Sequence, residues 1–362
     1  MRVLQLTKRS VTLLATVCIA LTGCGDSGPD VPFNPAGTSA DIQAVNAAFG
    51  SSTFADFSAL SLLFDPALGG SPLVSSAAVA MDIRASGAAG MRAAAVRSAQ
   101  RLARLRPAAA NPSFSVSAAI PAEIAGKTFE YSAGAYVAGA RTGAPANGVR
   151  FLLYAVDPVT FLPVEPLLET GRVDITDLSG TTTQSARVQV VSGTTTYLDY
   201  TVAANSLTGR ITVVGFVTDG ANRANLNLRA TVSSAGDLTL VYSLDVPQRD
   251  VSIDLTWTAT GLTPESINIA INLSMSGPNG TVSMSGQFTV NGATLIVRTG
   301  GRDFATITLT GEADPVITGA DGLPITEEDI AALQGIFELT SEAFISFDQM
   351  LVPVTFFLAP AA

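Results

Sequence analysis

The sequence predicts a mainly β fold: a large antiparallel meander sheet, as an open half-barrel, sandwich or closed barrel, with N-terminal helices and one C-terminal helix. Three observations carry this expectation. Runs between Phe114 and about Thr310 alternate apolar and polar residues, turn dipeptides separate those runs, and helical spacing of apolar residues is confined to the two ends of the chain. Strands joined by such short connections run antiparallel, because a parallel crossover needs about a dozen residues or more.

The N-terminal segment is read first because it fixes an address. Arg2, Lys8 and Arg9 form a basic flank, and Val11 to Leu21 form an apolar stretch. That stretch is shorter than the roughly 20 residues a membrane-spanning helix needs. It closes on Leu21, Thr22, Gly23 and Cys24. This pattern resembles the lipobox of bacterial lipoproteins. The resemblance implies a signal peptide over 1–23, cleavage before Cys24, and acylation of that cysteine with chains such as palmitate. Several acyl chains hold a protein on a membrane without its crossing. Gly25, rather than Asp, follows Cys24, and the sorting rules of such lipoproteins then imply the outer membrane over the inner one.

Residues 24–37 carry Gly28, Pro29, Pro32 and Pro35 without periodicity and read as a membrane tether. Residues 38–112 read as a helical, Ala- and Arg-rich segment. Within it, Ser39 is the expected N-cap of a first helix starting near Asp41, whose stripe is Ile42, Val45 and Phe49. Gly50, Ser51 and Ser52 interrupt that pattern, and a second helix from about Phe54 presents Phe57, Leu60, Leu63 and Phe64 before Pro66. A further helix is expected after Met91, with Arg97, Arg101 and Arg104 on one face, followed by a short linker from Pro107 to Pro112.

Residues 113–362 read as the antiparallel β domain with its C-terminal helix. Strands are expected over 127–140, 148–156, 171–176, 185–191, 194–203, 210–218, 225–233 and 238–246. The clearest pattern follows, where Val251, Ile253, Leu255, Trp257 and Ala259 alternate with Ser252, Asp254, Thr256, Thr258 and Thr260. Ile267, Ile269, Ile271, Leu273 and Met275, then Val282, Met284, Phe288 and Val290, repeat the device. Asn279-Gly280 and Asn291-Gly292 place residues that tolerate positive φ where tight hairpins require them, and Ser192-Gly193, Asp219-Gly220 and Ala235-Gly236-Asp237 supply further turns. Thr326 and Asp329 resemble a capping box opening a helix whose inner stripe is Ile330, Leu333, Phe337 and Leu339. Val352, Val354, Phe356 and Leu358 then alternate as a last short strand.

Composition excludes several chemistries. The chain has no histidine, and its cysteines are Cys18, inside the signal, and Cys24, the lipidation site. Cysteine nucleophiles, Ser-His-Asp triads and thiolate or imidazole zinc sites are thereby excluded. After Cys24 the chain carries 30 acidic and 17 basic side chains, which argues against nucleic acid as a partner. The one basic stretch, Arg84 to Arg106, faces only Asp82.

Candidate carboxylates fall in two groups, Glu165, Glu169, Asp174 and Asp177, and Asp314, Asp321, Glu327, Glu328 and Asp329. Either could serve calcium or an acid–base pair, although neither matches an EF-hand loop and acids in a first helical turn are favoured by the helix dipole alone. Lys127, alone among lysines after Cys24, reads as a surface residue, and Trp257 reads as core. No catalytic, cofactor or metal residue is therefore assigned, and the expected partners are a membrane, through Cys24, and an apolar ligand or an envelope protein. The ligand reading is similar in outline to periplasmic lipoprotein carriers, open half-barrels covered by helices. Ile253, Leu255, Ile269 and Ile271 are the expected lining of such a site.

Overall fold

Fifteen strands hydrogen-bond into one sheet in the order β15-β14-β13-β12-β11-β10-β9-β8-β7-β6-β5-β4-β3-β1-β2. The computed structural model describes residues 32–62 and 119–358, apart from 158–159, 161, 206–207, 209, 234, 262–265, 290, 311–314 and 321–323. The expectations for the signal peptide and Cys24, for most of the tether, for the arginine-rich helix and for the linker at Pro107 lie outside the described residues.

The strands are β1 (Thr128–Ser132), β2 (Ala135–Ala138), β3 (Gly148–Tyr154), β4 (Glu169–Asp177), β5 (Thr183–Ser192), β6 (Thr195–Asn205), β7 (Arg210–Thr218) and β8 (Arg223–Val232). They continue as β9 (Leu238–Val246), β10 (Val251–Thr260), β11 (Asn268–Gly277), β12 (Gly280–Thr289), β13 (Gly292–Thr299), β14 (Arg302–Thr310) and β15 (Val316–Gly319). From β3 to β15 every neighbour is antiparallel and consecutive, as the spacing of turns predicts. Register follows the alternation: Trp257 lies between Leu240 of β9 and Ile271 of β11, all three on the apolar face.

Two features at the first strands depart from expectation. The run 127–140 is not one strand but the hairpin β1–β2, turning at Ala133 and Gly134, which both take positive φ (52° and 90°). Positive φ at both central residues is the turn that matches strand twist. β1 then pairs with β3 in parallel, Thr128 opposite Arg150 and Phe129 opposite Phe151. The long return through β2 and residues 139–147 makes this possible, and the Phe129 and Phe151 rings stack at 4.9 Å across the pair.

The sheet is open. β15 and β2 are its two edges, each only four residues long, and short edges offer little template for unwanted pairing. Of the forms the sequence allows, the closed barrel is not taken: the sheet is open and carries helices on its apolar face.

Among the described residues, three helices cover the apolar face. α1 (Pro35–Phe49) begins earlier than the sequence predicts: the cap is Asn34, whose side chain accepts from the Gly37 amide at 3.1 Å, and Ser39 lies inside the helix. Pro35 at the first helical position explains the shift, since its missing N–H costs nothing there. α2 spans Ser52–Leu62, after the expected break at Gly50. α3 spans Glu327–Leu358 and opens with the expected capping box, in which Thr326 Oγ1 accepts from the Asp329 amide at 3.1 Å and the Asp329 carboxylate accepts from the Thr326 amide at 3.0 Å.

The expected last strand at Val352 to Leu358 is instead the end of α3. Buried Phe347, Met350, Leu351, Val354 and Phe357 recur at helical spacing and override the local alternation. The helix tolerates Pro353, which forfeits one backbone bond, because its packed face holds it in place. α1 and α2, which the sequence sets in a segment of their own, bury Ile42, Val45, Phe57 and Leu60 in the same core as the sheet.

The sheet curves around these helices. Tyr200 on β6 donates its hydroxyl to the Met350 carbonyl at 2.6 Å, while Phe288 on β12 packs on Phe337 with ring centroids 6.2 Å apart. On a flat sheet those strands would lie about 29 Å apart. The helical span from Phe337 to Met350 measures only about 20 Å; an open sheet of this many strands curls, and the helix-covered apolar face is its concave side. Inward-facing Gly215 and Gly286 fit that curvature. A Cβ on Gly215 would collide with the Asp199 carbonyl and the Tyr200 backbone, and one on Gly286 with the Thr294 carbonyl and the Leu295 backbone.

Candidate functional site

The contact between the concave face and its helices is the place where this molecule could hold something. Ile253, Leu255, Ile269 and Ile271, the expected lining, all lie on this face at 3%, 4%, 0% and 3% exposure. Trp257 is at 0% and Tyr200 at 1%, both in the apolar register. The face is closed, and an incoming molecule would have to displace what covers it.

Polar groups fasten the helices. Asp41 on α1, buried to 5% side-chain exposure, receives the Arg249 guanidinium at 3.2 Å and the Asn279 amide nitrogen at 2.7 Å. Those partners sit in the β9–β10 and β11–β12 turns, so one carboxylate ties α1 to one rim of the sheet. Asn279 also accepts two bonds from Asn34, from its backbone amide at 3.0 Å and from its side-chain nitrogen at 3.2 Å.

α2 carries a second buried carboxylate. Asp56 accepts the Thr170 hydroxyl at 2.7 Å. Burial raises its pKa above the ordinary aspartate range, and the bonds from Thr170 and from the Val156 amide only partly offset this. Ser58 of α2 donates to Gln349 of α3 at 3.0 Å. Burial likewise pushes the Tyr136 and Tyr200 phenols upward, so both remain neutral donors, Tyr136 to the Leu152 carbonyl at 2.7 Å.

The structure disperses the acidic residues that the sequence groups together. Glu169 pairs with Arg141 at 2.6 Å; Asp174 takes a two-pronged contact from Arg150 at 2.6 and 2.8 Å; Asp177 accepts the Ala119 and Ser179 amides at 2.8 Å each. Glu165 is exposed on the β3–β4 connection. These carboxylates answer to different partners, and no group of three or more metal-ligating side chains occurs among the described residues. In the second group, Asp314 and Asp321 lie outside the described residues, and Asp329 is spent on the capping box. Lys127 is exposed, as expected.

Asp56, Thr170 and Arg249 escaped the sequence reading, and Asp41 and Asn279 entered it only as a helix start and a turn residue. A signal existed for the two aspartates, which interrupt apolar helical stripes beside Ile42 and Phe57. Their partners come from turns and strands more than a hundred residues away, and one sequence carries no trace of that pairing.

The polar face of the sheet is neutralised strand by strand. Arg187 meets Asp199 at 2.6 Å, Arg298 meets Asp303 at 2.7 Å, and the Arg223 guanidinium stacks 3.7 Å over Phe216. No described helix is long and apolar enough to cross a membrane. No protein family, characterised protein or solved structure matches this chain.

Proposed function

We propose that the chain is a lipoprotein of the bacterial cell envelope, tethered through Cys24, in the outer membrane rather than the inner one. We propose further that it acts by binding and not by catalysis, taking an apolar ligand against the concave face of its sheet. One observation carries this reading: a continuous apolar face is closed by helices whose attachments include breakable polar links, Asp41 with Arg249 and Asn279, Asp56 with Thr170, and Ser58 with Gln349. A permanently packed helix is more cheaply fastened by apolar contacts alone, since each buried polar group brings a desolvation cost.

Intact mass tests the anchor, which predicts a diacylglyceryl group and an N-acyl chain on a mature chain beginning at Cys24. Native mass spectrometry against an envelope lipid extract tests the ligand. Trp257, the only tryptophan, lies at the centre of the concave face, so its emission should shift when a ligand replaces a helix. Retention of no lipid together with unchanged Trp257 emission would remove the ligand reading and leave the second one. That second reading, a structural or protein-interaction module of the envelope, is favoured by the near-complete burial of the concave face. Proximity labelling from the tethered protein should then enrich particular envelope proteins.

A further inference from the structure

We infer that one rim of the sheet makes a second contact with the membrane, through an outward apolar row formed by Leu162, Val164, Pro166 and Leu168. This rests on the anchor reading above, and it adds an orientation that the anchor alone does not impose.

The row is built by the connection between β3 and β4. Asp157 and Ala155 pair with residues of the returning arm: the Asp157 amide donates to the Leu162 carbonyl, the Val164 amide to the Ala155 carbonyl, and the Ala155 amide to the Leu168 carbonyl, each at 2.9 Å. These bonds hold the returning arm beside Ala155 at both Val164 and Leu168, and the residues between them bulge outward. Leu167 turns inward against the core. Leu162, Val164 and Leu168 turn outward, at 39%, 45% and 65% exposure, and Pro166 is exposed with them. Three large apolar side chains face water within seven residues, whereas exposed Val137, Val214, Val241 and Ile296 lie one to a strand. At the opposite rim, exposed Leu178 and Val316 stand singly, beside β4 and at the start of β15.

Chain length supplies the occupant. In an antiparallel meander alternate turns share a rim, so the β3–β4 connection lies on the same rim as the β9–β10 and β11–β12 turns. That is the rim to which Asn34 and Asp41 are tied. Only nine residues lie between Cys24 and Asn34, and the ten steps from one to the other reach about 34 Å when fully extended. A lipidated Cys24 therefore keeps the β11–β12 turn of this rim within about 34 Å of the bilayer. The row has the composition to lie in the headgroup boundary, where apolar groups settle ~5–10 Å deep.

The chain has no cysteine after Cys24, so an introduced cysteine is a unique labelling site in the lipidated protein. Full-length V164C and, as the opposite-rim control, V316C would carry an environment-sensitive fluorophore, with the protein in vesicles of phosphatidylethanolamine and phosphatidylglycerol. The expected result is quenching of the Val164 probe by nitroxide-labelled lipid but not by aqueous iodide, with the reverse at Val316. L162S and L168S together should return the Val164 probe to iodide access while the protein still floats with the vesicles. A floating, lipidated protein whose Val164 probe stays as aqueous as its Val316 probe overturns this inference and leaves the anchor standing. A Cys24 found unlipidated by intact mass overturns both.

Discussion

Asp56 offers the sharpest test at the scale of single residues. Its carboxyl is buried on α2 and its pKa is raised by loss of solvent, so the folded protein binds its proton more tightly than the unfolded chain does. Stability from this group is then highest at low pH and falls as pH rises through the raised folded value. Asp56→Asn keeps an acceptor for Thr170 and removes the charge. The variant should be more resistant to urea than the parent at pH 7, and the advantage should vanish below the ordinary aspartate value of 3.8. An advantage that persists unchanged at pH 3 would contradict the assignment of the cost to ionisation. Asp41 is tested through its partners. Its charge meets Arg249 and Asn279, and Asp41→Ala leaves both donors without their acceptor. A loss of about 1–3 kcal/mol is expected in urea titrations; Arg249, 39% exposed, recovers part of its solvation.

At the scale of elements, α3 shows where sequence patterns suffice and where they compete. The Thr326–Asp329 box was legible because capping is local, and Thr326→Ala should cost about 1 kcal/mol by loss of the bond from the Asp329 amide, measured by thermal melting. Its other end was misread. Val352, Val354, Phe356 and Leu358 alternate, but Phe347, Met350, Leu351, Val354 and Phe357 carry the longer helical stripe, and a helix already under way extends more readily than a lone strand forms. The strands from β5 to β12 were legible for the same local reason, since one face is apolar and the turns carry Gly, Asn and Asp. The parallel pairing of β1 with β3 was not, because its partners are fixed by a return of the chain and not by alternation. Curvature was equally hidden. The structure uses Gly215 and Gly286 where Tyr200 and Leu295 crowd the concave face, a close approach that strand alternation does not encode. Gly286→Val drives a branched side chain into the Thr294 carbonyl and should cost more than 3 kcal/mol, beyond the usual ~1–3 for added core volume, because backbone stands in its way; insoluble expression or loss of the native Trp257 emission would show it.

Over the whole molecule the decisive relation is between a sheet that contacts itself only strand by strand and helices that reach across it. A meander gives each strand two neighbours and little else, so its ends could open without disturbing its middle. α3 prevents this by joining β6, through Tyr200 and Met350, to β12, through Phe288 and Phe337, while α1 ties in the β9–β10 and β11–β12 turns. Unfolding of the parent should therefore be cooperative, with Trp257 emission and far-ultraviolet circular dichroism following one urea curve. A chain ending before Thr326 loses that brace and uncovers Phe288, Leu333-facing core and the concave isoleucines together. It should bind a hydrophobic dye, precipitate at micromolar concentration, and where soluble show Trp257 becoming exposed before the strands melt. Coincident curves in the shortened chain would mean that the sheet holds its curvature unaided, and that α3 is free to leave when a ligand arrives.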